Sequence, residues 1–316
     1  MVKKSIAFIF PGQGSQAVGM GSALAASHQA ARLVFDEVSD ALNEDLFRLM
    51  QDGPDDAVRM TRNAQPALFA TSMAAVRVLE EELGADLYTI GTMVAGHSLG
   101  EYSALAASGS LTIADAARLL RRRGDAMQDA VPVGAGAMAA ILGADEAQIT
   151  AILADAAAKG LVQIANDNAP GQIVVSGAAA AVDASIELAK AAGLRRAIKL
   201  PVSAPFHCDL MAPAADVMAA ALAAVAMADA KMPVYCNVTA AAENAAANLR
   251  ANLIMQVTAR VRWRESLIAM QEAGAKLFVE MGTGKVLSGL VKRGLDHAVA
   301  VNLDGPDDLD MVLAAL

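Results

Sequence analysis

Aromatic side chains are nearly missing from this chain: Phe, Tyr and Trp make up 3% of it, although hydrophobic residues make up 55%. A core without large rings must be assembled from Ala, Val, Leu, Ile and Met, a composition suited to helices packed on a sheet. Cysteine is equally scarce. Cys208 and Cys236 have no CxxC spacing and make no disulfide framework, so they read as small buried hydrophobes of a cytoplasmic protein. Positive charge is in deficit, 25 Lys and Arg against 34 Asp and Glu for a net charge of −9, and no basic tract stands out, which argues against nucleic acid as a partner. No apolar run approaches the ~18 residues that span a bilayer, so no membrane association is expected. The N-terminal "MVKKSIAFIF" carries two lysines, but its apolar part is too short for a signal-peptide core and lacks a cleavage site, and it reads as a buried first strand. No His, Cys and Asp cluster has metal-ligand spacing, so no metal is expected.

What is present is an alternation. The short apolar runs "SIAFIF", "TMVAG", "PVYCNV" and "KLFVEMG" are bounded by Gly or Pro and followed by helical periodicity, which predicts a mainly parallel sheet covered by helices. Helices are predicted over 66–82, 98–107, 112–129, 208–228 and 261–272. Between Gly134 and Pro201 the order becomes "AMAAIL", a helix, "VQIAN", the turn "NAPGQ", "IVVSG", a second helix and "RAIKL". That β-α-β-β-α-β sequence is the ferredoxin-like one, and predicts a small unit at 133–201 inserted into a larger one formed by 1–132 and 202–316, with a cleft between them. The Ala-rich stretch "TAAAENAAAN" reads as a loose loop.

The stretch "VAGHSLGEYSALAASG" places Ser98 in the pattern Gly-x-Ser-x-Gly. Alone, that pattern is equally consistent with a helix N-cap. Its context, an apolar strand ending at Gly96 and a helix beginning after Ser98, is the strand-turn-helix of a nucleophile elbow and favours the nucleophile. A serine nucleophile needs a base, and the chain has four histidines. His97 should point away from its neighbour, His28 falls on a polar helix face and His297 in a solvated segment. His207, in "KLPVSAPFHCDLM" at the return from the inserted unit, is the candidate. "RRR" at 121–123 taken alone reads as a solvated helix face. The loop "FPGQGSQAVGMG" lacks the spacing of a dinucleotide fingerprint and the lysine of a P-loop, so it reads as a source of backbone N–H groups for an oxyanion rather than a nucleotide site.

Taken together and in order over nearly the whole chain, "FPGQGSQ", "RNAQPALFA", "GHSLGEYSAL", "RRRGDAMQDAVP", "GAMAAILG", "NAPGQIVVSG", "PVSAPFHCDLM" and "VEMGTGKVLSGLVKR" resemble the malonyl-CoA:acyl-carrier-protein transacylase family of type II fatty-acid synthesis, also seen as acyltransferase domains of polyketide synthases. The resemblance implies an α/β fold, a large α/β-hydrolase-like domain carrying the ferredoxin-like insertion. It implies Ser98 as nucleophile, His207 as base, and the backbone N–H groups of Gln13 and Leu99 as oxyanion hole. Gln256 would hold the histidine through its main-chain carbonyl, against the plain reading of a helix-end residue. Arg123 would bind the free carboxylate of malonate, leaving Arg121 and Arg122 as the solvated ones. Phe206 matches a position where, in related polyketide domains, Phe accompanies malonyl and Ser methylmalonyl, although members making fatty acids often carry Ser there.

The implied reaction is ping-pong, with malonyl-CoA as substrate rather than cofactor and no cofactor needed. The implied partner is acyl carrier protein, docked by a basic patch drawn from Arg195, Arg196, Lys199, Lys285, Lys292 and Arg293, with the enzyme a monomer. A trans-acting polyketide acyltransferase, a serine thioesterase or other hydrolase, and a non-catalytic carrier-binding subunit are the competing readings.

Overall fold

The computed structural model describes residues 5–202 and 204–316, so Lys3 and Lys4 lie outside the described residues. Among the described residues ten strands form two sheets: β1 (Ile6–Phe10), β2 (Met93–Gly96), β3 (Gly136–Leu142), β4 (Val162–Ala169), β5 (Gln172–Ala178), β6 (Arg196–Lys199), β7 (Val234–Tyr235), β8 (Ala242–Glu243), β9 (Leu277–Met281) and β10 (Val299–Leu303). The larger sheet runs β10-β9-β1-β2-β7-β8 and is parallel except for the β7–β8 pair. Its central strands are buried on both faces, which is why β1 is a continuous apolar run rather than an alternating one, and β9 is apolar but for Glu280, whose buried carboxylate accepts from the Leu287 and Ser288 N–H groups. Period-2 geometry splits β1 between two cores: Phe8 and Phe10 pack under the helices Thr61–Leu83, Gly100–Ala107 and Ile113–Asp129, while Ala7 and Ile9 face the helices Trp263–Glu272 and Val286–Gly294.

The smaller sheet runs β4-β5-β3-β6 with every neighbour antiparallel, backed by the helices Glu146–Ala156 and Ala179–Ala191 over their own apolar core. This is the ferredoxin-like order that the sequence predicts. The fold is α/β, with a mainly parallel α/β-hydrolase-like sheet and this antiparallel sheet inserted in its chain. No helix among the described residues is long and apolar enough to cross a membrane.

The two sheets are tied along β4. Asp167 N donates to Val261 O at 3.0 Å and Val261 N to Ala165 O at 2.8 Å, so β4 pairs briefly with a loop of the larger unit. Beside that pairing the buried Asp167 carboxylate takes Arg260 at 2.7 Å and Arg264 at 2.8 Å.

Several local expectations are corrected. The helix predicted over 208–228 is a 3-10 turn, Asp209–Met211, then a helix ending at Ala223. Past it the backbone bonds outward, Ala228 N to Ser110 O and Ala230 N to Asn244 O, instead of continuing the helix. "TAAAENAAAN" is not loose: it holds β8 and starts the helix Ala246–Gln256, because Glu243 accepts from the Asn244 and Ala245 N–H groups and Asp229 from that of Ala246. "PVYCNV" yields only a two-residue strand, since Cys236 turns back through bonds with Ala240 and Ala241. The strand β10, "VAVNL", was not anticipated. His28 is no helix-face residue but the extended junction between two helices.

Removing the Asp167 carboxylate leaves two arginines without their shared partner. Asp167→Ala is expected to lower stability by about 1–3 kcal/mol, read as the midpoint of urea unfolding, whereas loss of the exposed Glu146 partner of Arg260 should shift it by less than about 0.5 kcal/mol. Equal shifts would refute the tie.

Candidate active site

The elbow is built by close approach. A Cβ on Gly96 would stand 1.9 Å from the Gly100 backbone, and one on Gly100 would stand 2.3 Å from Phe10 O, so only glycine lets β2 turn this sharply against β1. Between them Ser98 adopts φ 53°, a left-handed conformation that costs free energy unless its surroundings enforce it. Its N–H donates to Asn237 Oδ1 at 2.7 Å, and Asn237 Nδ2 donates in turn to Gly96 O at 2.7 Å. The turn therefore presents Oγ at the start of the helix Gly100–Ala107.

Residue 207 comes from the other side of the molecule and also has positive φ, 58°. Its Nε2 lies 2.8 Å from Ser98 Oγ, and its Nδ1 lies 2.9 Å from the backbone O of Gln256. A carbonyl can only accept, so Nδ1 carries the proton and Nε2 turns a lone pair toward the serine hydroxyl. Burial first, and the nearby Arg123 charge second, push the imidazole down to about 3. It is neutral, in the form that can take a proton from Oγ.

Arg123 is 1% exposed. Its Nη1 donates to Gln65 Oε1 at 2.9 Å, while Nη2 donates to Gln256 Oε1 at 2.9 Å and to Ser98 Oγ at 3.1 Å. Among the described residues no carboxylate lies within ion-pair distance of it, and its Nε has no partner. Glu101, 1% exposed on the first turn after the elbow, accepts from Asn237 N at 2.9 Å and Gln256 Nε2 at 2.8 Å. Burial raises this carboxyl to about 7, against the pull of those donors and of Arg123.

These groups open onto a cavity of about 600 Å³ walled by both units: Gln13, Gln65, Ser98, Leu99 and Arg123 on one side, Met138, Asn166 and Leu200 on the other, with Phe206 and His207 at the return. The Gln13 and Leu99 amides have no acceptor among the described residues. Gln256 is fully buried behind the cavity and reaches its lining through Arg123, His207 and the backbone O of Ser98. His97 sits in the cavity wall with Nε2 2.8 Å from Asn168 Oδ1 and its ring edge-on to Trp263, bonding away from Ser98. The "RRR" reading is corrected at Arg121, which is 8% exposed and donates to Glu44, Asn63 and Arg62 O; Arg122 is exposed.

Sequence reasoning gave no role to Gln65, Glu101 or Asn237. A signal existed for Glu101: a lone carboxylate in the apolar helix "GEYSALAA" must either reach water or find buried donors.

A hydroxyl facing a neutral imidazole, with a buried guanidinium beside it, is equipment for covalent transfer of a charged acyl group. The profile of the acyl transferase domain family matches residues 7–306. Malonyl CoA-acyl carrier protein transacylase of Bacillus subtilis is 43% identical over 98% of this chain and 97% of its own length. The crystal structure of acyl-carrier-protein-S-malonyltransferase from Bartonella henselae superposes with a TM-score of 0.96 at 47% identity, over 98% of this chain and 99% of that one. A malonyl-transacylase solved in complex with a type II PKS acyl-carrier protein gives 0.95 at 39% identity, over 99% of this chain and 100% of that one. The chain belongs to the acyl transferase family and, within it, to the malonyl CoA-acyl carrier protein transacylases.

The depressed imidazole has a consequence for stability. In an unfolded chain histidine titrates near 6.5, so between about 6.5 and 3 the unfolded state binds a proton that folded His207 refuses. Stability is therefore lost as pH falls through that window and is unaffected by His207 above it; His97, lowered by its own burial, acts in the same direction. The melting temperature should fall from pH 6.5 toward pH 4, and less steeply for His207→Asn; identical slopes would remove His207 as a cause.

Proposed function

We propose that this protein transfers a malonyl group from malonyl-CoA to the phosphopantetheine thiol of acyl carrier protein, supplying malonyl carrier protein for fatty-acid synthesis. The observation that carries the reading is Arg123, a buried guanidinium 3.1 Å from the serine hydroxyl with no carboxylate bonded to it among the described residues. A neutral acyl group gives no reason to keep a desolvated cation there, whereas the free carboxylate of a malonyl group does, through two parallel charge-assisted bonds.

In the first half-reaction Ser98 Oγ attacks the thioester carbonyl while His207 Nε2 takes its proton. The oxyanion so formed is stabilised by the Gln13 and Leu99 amides; loss of one such donor typically costs ~10²–10³ in rate. The C–S bond breaks, and the imidazolium returns its proton to the CoA sulfur. In the second half the carrier thiol gives His207 a proton, its sulfur attacks the malonyl ester, and Ser98 leaves with that proton. Oxidation states do not change, so the chemistry calls for no redox cofactor, and in this reading Ser98, His207 and the two amides do the work without any other group. Gln256 holds the His207 ring through its carbonyl, and Phe206 crowds any α-methyl group.

In this reading residues 1–132 and 202–316 form the catalytic unit and 133–201 an inserted unit that closes the cavity. The protein acts as a cytoplasmic monomer. An acidic carrier is met by the exposed group Arg195, Arg196, Lys199, Lys285, Lys292 and Arg293.

Intact-protein mass spectrometry tests this. With malonyl-CoA, wild type should gain one malonyl group and pass it to added phosphopantetheinylated carrier protein, and Ser98→Ala should gain none. Arg123→Ala should be malonylated about 10–100-fold more slowly, the equivalent of a charge-assisted bond of about 1.5–3 kcal/mol, with acetylation little changed. Label lost to water as fast without the carrier as with it would replace transferase with hydrolase.

A further inference from the structure

We propose that Asn237 is a positioning residue for the acyl transfer: its side-chain amide holds the nucleophile elbow in register and decides which backbone N–H is left to face the substrate. The inference rests on the reading of Ser98 as the acyl-accepting serine.

The placement follows from the sheet. Strand β7 pairs parallel with β2 through Val94↔Val234 and Ala95↔Tyr235. Two residues further along each chain, β2 has become the elbow and β7 has reached Asn237, so the short strand delivers this side chain beside the turn. There it is fully buried and bridges the turn itself, Oδ1 accepting from Ser98 N and Nδ2 donating to Gly96 O, each at 2.7 Å. A primary amide is the one side chain of this length with an acceptor and a donor side by side. The peptide units on both flanks of His97 are thereby fixed, and with them the positive φ of Ser98.

Two consequences concern the reaction. First, the N–H of Ser98 is occupied, so it cannot compete for the developing oxyanion, and the next amide, that of Leu99, is the free one. Second, the bridge is itself anchored at both ends of its residue: Asn237 N donates to Glu101 Oε2 at 2.9 Å, and Asn237 O accepts from Arg262 N at 2.9 Å. Gln256 Nε2, which also touches Ser98 O at 3.0 Å, lies 3.3 Å from Asn237 Oδ1. The same cluster that orients Gln256 toward Arg123 thus orients the serine backbone, and the buried Glu101 carboxylate has its use as the acceptor joining them.

The test is single-turnover acylation of Asn237→Ala and the near-isosteric Asn237→Asp by malonyl-CoA and acetyl-CoA, with melting temperatures as a check on folding. A misplaced nucleophile slows both donors alike, so the acylation rate constant should fall about 100-fold for each, with half-saturating donor concentrations within about threefold of wild type. Arg123→Ala, run in parallel, should slow malonyl alone. Asn237→Asp keeps the shape of the site, so it carries the test if the alanine variant fails to fold. Either folded variant acylating within about threefold of wild type, or a loss confined to donor affinity, would overturn the proposal. Absence of acylation in wild type would instead overturn the transferase reading on which it rests.

Discussion

A guanidinium enclosed by protein and, among the described residues, bonded to no carboxylate is the constraint on which the rest of this site depends. Among the described residues the side-chain hydrogen bonds of Arg123 go to two neutral amide oxygens, of Gln65 and Gln256, and to Ser98 Oγ, with the Tyr102 ring 5.9 Å from the guanidinium. Neutral acceptors orient the group without discharging it. Were a carboxylate bonded to it directly, the cation would be satisfied and indifferent to an incoming anion. Glu101 stands one amide away, touching the far end of the same Gln256 side chain. Its charge moderates the cost of burying the guanidinium, while the guanidinium's own bonds go to neutral oxygens.

The sheet explains how distant segments reach that cavity. The elbow stands at the C-terminal end of β2, Asn237 just past the end of the neighbouring β7, and Gln13 just past β1 on the other side. All three lie where parallel strands end, the edge at which open α/β sheets gather their ligands. His207 and Phe206 do not belong to the sheet; they arrive on the chain returning from β6, so the antiparallel unit sets where the base stands. The Asp167 tie joins that unit to Arg260 and Arg264 of the larger one, and the His97–Asn168 contact joins it to the elbow.

How much of this was legible in the sequence depended on whether a residue's role is local. Ser98 could be read because glycine spacing, preceding strand and following helix all lie within a dozen residues. The inserted unit could be read because each of its six elements has its own periodicity. His207 needed elimination among histidines and the family resemblance, since its partners Ser98 and Gln256 are far away in the chain. Arg121 was misread because three consecutive arginines look alike until the helix Ile113–Asp129 is docked, which buries Arg121 against Glu44 and Asn63 and leaves only Arg122 in water. Asn237 was invisible for a related reason. In "PVYCNVTA" it looks like a turn asparagine, and its work is done on a serine 139 positions earlier.

The electrostatics of the cavity couple substrate choice to proton transfer. His207 is held down by burial and by the charge of Arg123 a short distance off. Burial is the larger cause and the Arg123 charge the smaller, both opposed by hydrogen bonds to the Gln256 and Ala259 backbone. Under the proposed reaction, a malonyl carboxylate seated on Arg123 neutralises the guanidinium and lifts the depression it exerts on His207. The ring becomes a better proton acceptor at the moment the attack on the thioester requires one. An acetyl group, with no charge to offer, would leave the imidazole as weak as before. Discrimination would then arise twice from a single ion pair, once in how the acyl group is held and once in how readily Ser98 gives up its proton. This is why removing the arginine and misplacing the serine must have different signatures: one touches the charge that selects and activates, the other only the geometry through which any acyl group is taken.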